Sequence, residues 1–149
     1  MPNYRKRLQN LFVKEIPIVD DVYIISEDSL NNNQSQTNNV FSDKWSEFDR
    51  EDIINQEKTF NFQKKWYLSL YGFSNESELK EYLKTKDVIL DAGCGLGYKA
   101  KWFAELSPKS LILGIDYSDS VFLARKKYQQ IENLFFLKGD IANTNLNDR

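Results

Sequence analysis

The sequence predicts an α/β fold: the first half of a doubly wound parallel sheet, strand order 3-2-1, carrying an N-terminal helical and aromatic-rich extension. Three observations predict it. Short apolar runs, Val88–Leu90, Leu111–Ile115 and Leu134–Leu137, alternate with amphipathic segments of helical period. Each run leads into an acid, Asp91, Asp116 or Asp140. Glycines at alternate positions, Gly93, Gly95 and Gly97, separate the first run from the first helix. A β-α-β-α-β order with right-handed crossovers gives a parallel sheet of that strand order. Its ligands belong along the carboxyl rim, where the acids fall.

The elements follow in chain order. Tyr4, Leu8, Leu11 and Phe12 are spaced for a helix over 3–13, with Arg5, Lys6 and Arg7 on a solvated face. Ile16–Val19 and Val22–Ile25 are β-prone, and Pro17 restricts the first to an edge. The Asn, Gln and Ser stretch within 29–40 has nothing to bury and reads as a disordered loop. Ser42 caps a short helix ending near Phe48. A second helix over 58–71 turns Phe62, Trp66 and Leu70 inward, and a third over 76–85 has Asn75 as cap, Glu78 three residues on, and Leu79, Tyr82 and Leu83 as its stripe. The aromatics Phe60, Phe62, Trp66 and Tyr71 suit either helix packing or a lid over a ligand. The expected division is an N-terminal extension and possible lid at 1–74, then a partial cofactor-binding domain at 75–149.

Within that domain Val88–Leu90 reads as a strand buried on both faces. The helix from Tyr98 to Leu106 buries Ala100, Phe103 and Ala104 and stops at Ser107-Pro108. Ser118 caps the next helix, with Val121, Ala124, Tyr128 and Ile131 on one face.

Composition narrows the function classes. A chain of 149 residues, 41% hydrophobic and 28% charged, is a globular domain with a core of its own. A net charge of −2 gives no electrostatic pull toward nucleic acid or an anionic membrane. No apolar run approaches the ~20 residues a membrane span needs, and the start lacks a signal-peptide apolar region, so a cytoplasmic location is expected. One cysteine, Cys94, and no histidine exclude a disulfide framework and a Cys- or His-based metal site, and remove the commonest general base. Cys94 itself reads as a small packed residue.

The glycine turn is the most specific feature. Strand, glycine turn and helix bring backbone N–H groups and a helix N-terminus against a ligand, and glycine permits both close approach and positive φ. A dinucleotide fingerprint, G-x-G-x-x-G, needs glycine where Tyr98 stands; a phosphate-binding P-loop needs a Gly-Lys pair that is absent. Asp116, ending the second strand, can accept from the vicinal hydroxyls of a ribose.

Together, Val88–Gly97, Gly114–Ser118 and Phe136–Ile141 resemble the Rossmann-like class I S-adenosylmethionine-dependent methyltransferases, most of all the type 11 or ubiquinone-methyltransferase-like group. The resemblance implies S-adenosyl-L-methionine as cofactor and a site residue by residue. Asp91 would hold the methionine ammonium, directly or through water. The backbone of Ala92, Gly93 and Gly95 would lie against methionine and ribose, with Gly97 in the same loop. Asp116 would bind the ribose hydroxyls and Tyr117 flank the adenine. Asp140 would accept from the adenine amino group and the Ile141 N–H meet a ring nitrogen. The implied reaction is in-line transfer of the sulfonium methyl to an acceptor, expected to be a small molecule, with donor and acceptor aligned and water excluded. No general base and no metal ligand is identified.

The family's sheet has seven strands, order 3-2-1-4-5-7-6, whereas this chain reaches only the third motif, so a truncated family member is expected. The first strand then has an open edge, an aggregation hazard. Val22–Ile25 or a second copy of the chain is expected to cover it, the latter giving a homodimer. The alternative to an enzyme is a catalytically incomplete cofactor-binding or oligomerisation module.

Overall fold

The computed structural model describes residues 3–26 and 53–148, with side chains in the second stretch from Lys58 onward. The helix expected at 42–48 and the loop at 29–40 lie outside the described residues. The elements are α1 (Tyr4–Leu11), β1 (Ile18–Val19), β2 (Val22–Ile24), α2 (Ile53–Tyr71), α3 (Glu76–Leu83), β3 (Val88–Ala92), α4 (Tyr98–Leu106), β4 (Leu111–Asp116), α5 (Ser120–Lys127) and β5 (Leu134–Lys138). They build a five-stranded sheet ordered β1-β2-β5-β4-β3. The β5-β4-β3 part is parallel, with Asp91 opposite Gly114 and Asp116 opposite Lys138, so the expected 3-2-1 order holds.

The N-terminal strands join the other end of this sheet. β2 pairs parallel with β5, and β1 pairs antiparallel with β2 across an Asp20-Asp21 turn in which both residues have positive φ, 49° and 61°. Pro17 does precede the edge strand. The expectation that Val22–Ile25 covers β3 is therefore corrected: the segment covers β5, and the outer edge of β3 has no strand partner among the described residues. The reason is side-chain fit. Tyr23 and Ile25 bury into the cluster formed by Leu8, Leu113, Phe135 and Leu137, and Asp21 meets the Arg125 guanidinium at 2.8 Å. Arg125, buried, also donates to the carbonyls of Leu134 and Gln129.

One face of the sheet packs on α1 through Leu8; the other packs on α4 and α5 through Ala100, Phe103, Val121 and Ala124. Asn133, buried, donates to the carbonyls of Ala104, Ser107 and Ser110, closing the loops at the amino end of the sheet. β3 is not buried on both faces as expected. Val88 and Leu90 are 40% and 44% exposed, because no element covers that face of the strand among the described residues.

The extension also differs from its pattern. α2 spans the expected helix and begins five residues earlier, but Phe62, Trp66 and Leu70 point outward; Phe60 is the buried ring, against Tyr98 and Trp102, with Tyr67 and Leu68 beside it. The i, i+4, i+8 stripe is an apolar face of the helix, but α4 covers the neighbouring face, the one that carries Phe60. In α3, Leu79 and Leu83 are buried while Tyr82 is exposed. The cap of α3 is Asn75 as expected, its Oδ1 accepting from the Glu78 N–H, while Glu78 Oε2 reaches one residue past the cap to accept from the Ser74 N–H. For α5 the cap is Asp119 rather than Ser118. The Ser118 N–H is drawn to Asp116 Oδ1, and its hydroxyl is shared with Ser120.

Candidate functional site

The carboxyl ends of β3, β4 and β5 converge where the sequence places the site. The loop after β3 turns back on itself through three glycines of positive φ: Gly93 at 73°, Gly95 at 54° and Gly97 at 83°. Their reasons differ. A Cβ on Gly97 would fall 2.8 Å from Phe136 Cζ, so glycine there lets the loop close onto the core. A Cβ on Gly93 would meet nothing within 4 Å; that position is exposed and opens onto the rim.

Four amides of the loop are engaged within the protein. The N–H groups of Gly93 and Cys94 both donate to the Ile115 carbonyl, that of Gly95 donates to Asp116 Oδ2 at 2.8 Å, and that of Gly97 to the Cys94 carbonyl. What faces the rim instead is carboxylate. Asp116 accepts from Gly95 on one oxygen and from Ser118 on the other, which leaves a lone pair on each for further donors. It is half-buried, as is Tyr117 beside it.

Asp91 is buried at the end of β3. Lys99 Nζ lies 2.9 Å from its Oδ1, yet neither oxygen receives a hydrogen bond of ordinary geometry and both are closed to solvent. Burial pushes the Asp91 carboxyl above the usual range, against the opposing pull of Lys99 and the Ala100 amide, and the charge of Asp116 pushes the same way. Burial lowers the Lys99 ammonium, but Asp91 more than offsets this and the net displacement is upward. Lys99 was not read from the sequence as a site residue. A signal was there: a lysine in the first turn of α4 opposes the helix dipole and calls for a carboxylate partner. Its second neighbours come from α2. Nζ donates to the Tyr71 hydroxyl at 3.4 Å and lies 5.0 Å from the centre of the Tyr67 ring.

The third motif is placed next to Asp116, not in contact with Asp91. The Gly139 N–H donates to the Asp116 carbonyl. Asp140 is half-buried; its Oδ1 accepts from the Ala142 N–H and its own N–H donates to Ser26 Oγ. Ser26 is the other residue the sequence did not disclose, since its part depends on β2 lying beside β5. Ile141 is 51% exposed and Ala92 is exposed. A cleft of about 290 Å³ opens beside Tyr117, bounded by Phe122, Lys138, Gly139 and Ser26. Cys94, its thiol pushed well up by burial and by Asp91 and Asp116, is unsuited to act as a nucleophile.

Two kinds of similarity agree with this geometry. Residues 89–149 match the family described as methyltransferase domain. Over 96 residues the chain is 30% identical to malonyl-[acyl-carrier protein] O-methyltransferase of Bacillus cereus and 29% identical to that of Bacillus anthracis, covering 64% of this chain and 34% of each relative. An uncharacterized phycocyanin operon protein W of Pseudanabaena tenuis is 26% identical over 76 residues, 50% of this chain and 68% of that protein. The chain thus spans about a third of the length of the Bacillus relatives. Matched sequence, parallel strand order and a glycine turn tied to the second-strand acid agree in likening residues 89–149 to a methyltransferase domain carried on a Rossmann-like sheet.

Proposed function

We propose that the domain binds S-adenosyl-L-methionine and serves methyl transfer to a small-molecule acceptor. The observation that carries this reading is the use of the loop's polar groups. Four amides of the turn are taken up within the protein and two carboxylates stand at the rim, which suits a ligand that is cationic at one end and carries ribose hydroxyls better than a pyrophosphate. Asp91 would hold the ammonium, and Asp116 would take the two hydroxyls on its free lone pairs. The open backbone at Ala92 and Gly93 would admit the chain between them. Tyr117 would flank the adenine, with Asp140 and the Ile141 N–H along its edge, and the packed Gly95 and Gly97 would hold the loop in shape.

S-adenosylmethionine supplies a sulfonium methyl that passes to a nucleophile and leaves S-adenosylhomocysteine. The part left to this chain's residues is to fix the donor and exclude water. The exposed aromatics of α2, Phe62, Trp66 and Tyr71, and the net charge of −2 suit a small or apolar acceptor better than nucleic acid. The names of the Bacillus relatives point to an oxygen nucleophile on an acyl group as one class to try. No helix among the described residues is long and apolar enough to cross a membrane, which supports placing the protein in the cytoplasm.

Titration calorimetry with S-adenosylhomocysteine tests the reading. Wild type is expected to bind, and Asp116→Ala to bind about tenfold or more weakly, as loss of charge-assisted hydrogen bonds requires. A folded wild-type chain that fails to bind refutes it. The face of β3 that no described element covers favours a second reading, a cofactor-binding module without turnover. Binding without methyl transfer to any acceptor would select it.

A further inference from the structure

We propose that Lys99 reads the carboxylate of the donor's amino-acid end, giving up Asp91 to the ligand's ammonium as it does so; this rests on the cofactor reading above. Asp91 is a buried carboxylate with both oxygens lacking a well-formed hydrogen bond, facing a single cation at 2.9 Å. Such a group is costly unless its charge is met, so the site has a standing demand for a better donor. An α-amino acid end is a zwitterion. Set head to tail against the Asp91–Lys99 pair, its ammonium meets Asp91 and its carboxylate meets Lys99. Four charges in alternation replace two, and no charge is left unpaired.

Lys99 is built for the exchange. Its stem is flexible and its ammonium has three donors. Its side chain remains 22% exposed, so a ligand at the rim can reach it, whereas that of Asp91 is fully enclosed. It also has a second anchorage that survives departure from Asp91, the hydroxyl of Tyr71 and the face of Tyr67 on α2. The adjoining backbone at Gly93 is the open position of the loop, so the space a ligand needs lies beside the pair. A lysine serving only as a counter-ion would need neither exposure nor a second set of partners.

The test compares three ligands on the full chain by calorimetry: S-adenosylhomocysteine, its decarboxylated analogue 5′-deoxy-5′-(3-aminopropylthio)adenosine, and 5′-deoxy-5′-methylthioadenosine. Wild type is expected to prefer S-adenosylhomocysteine to the decarboxylated analogue by about tenfold or more. Lys99→Met is expected to bring that ratio close to one while binding methylthioadenosine as wild type does, and Lys99→Arg to keep it. A wild-type ratio near one overturns the proposal without recourse to any variant. So does a Lys99→Met protein that keeps the ratio, or that loses all three ligands alike. Failure of wild type to bind any of the three would instead remove the cofactor reading beneath it.

Discussion

Substituting alanine at two glycines of the same loop separates what the fold needs from what the ligand needs. Gly97 and Gly93 have nearly the same backbone conformation, φ 83° and 73°. Either alanine bears the left-handed cost of about 1–2 kcal/mol. Only at Gly97 is there a collision as well: the new Cβ would lie 2.8 and 2.9 Å from two ring atoms of Phe136 and 3.2 Å from Ala124 Cβ, both residues fully buried. Overpacking of that kind adds about 1–3 kcal/mol. Gly97→Ala should therefore cost about 2–5 kcal/mol against about 1–2 for Gly93→Ala, a difference of several degrees in Tm at about 2–4 °C per kcal/mol for a chain of this size. Urea unfolding followed by tryptophan fluorescence reads it, since Trp102 is buried against α2. Gly93→Ala should fold and yet lose S-adenosylhomocysteine binding. Equal destabilisation by the two alanines would refute the packing argument, and normal binding by Gly93→Ala would refute the assignment of the open position to the ligand.

Four further outcomes are expected. Asn75→Ala removes the acceptor for the Glu78 N–H and should cost about 1 kcal/mol in urea unfolding. Lys99→Met removes the charge that holds the Asp91 carboxyl down, so its folded-state pKa should rise further above the unfolded value. The native state then binds the extra proton, and stability should fall as pH rises through that window, more steeply than in wild type; identical slopes in unfolding experiments between pH 4 and 8 would contradict this. Leu90→Lys on the exposed face of β3 should change unfolding free energy by no more than about 0.5 kcal/mol, whereas a cost above about 2 kcal/mol would show that face to be covered. Gly139→Val would drive a side chain into Ile25 and Ser26, whose nearest atoms stand 2.6 Å from the added Cβ, and should release β2 from β5, seen as faster amide exchange at Tyr23 and Ile24.

The sheet region was legible because its signals are local. Val88–Leu90, the glycines and the three acids each lie within a few residues of the element they define, and a parallel order follows from alternation with helices. The N-terminal half was legible as elements but not as placements. Pro17 marked an edge strand, but nothing in Val22–Ile24 says which strand it pairs with; that was decided by Tyr23 and Asp21 finding Phe135 and Arg125 over a hundred residues away. Periodicity found the apolar faces of α2 and could not say which one α4 would cover. The same limit hid Lys99 and Ser26. Asp91, Asp116 and Gly93 announce themselves by residue type after a strand, but an ion pair across a loop or a hydroxyl beneath Asp140 exists only once the strands are side by side.

The sheet is unequal at its two ends. On one flank the last strand is two residues long and follows a proline; on the other, β3 presents five residues whose outer edge has no strand partner among the described residues. A further strand, of this polypeptide or of another, would find the longer template on the β3 side. The short, proline-guarded flank offers two residues of ladder, so on that side an incoming strand has little to pair with.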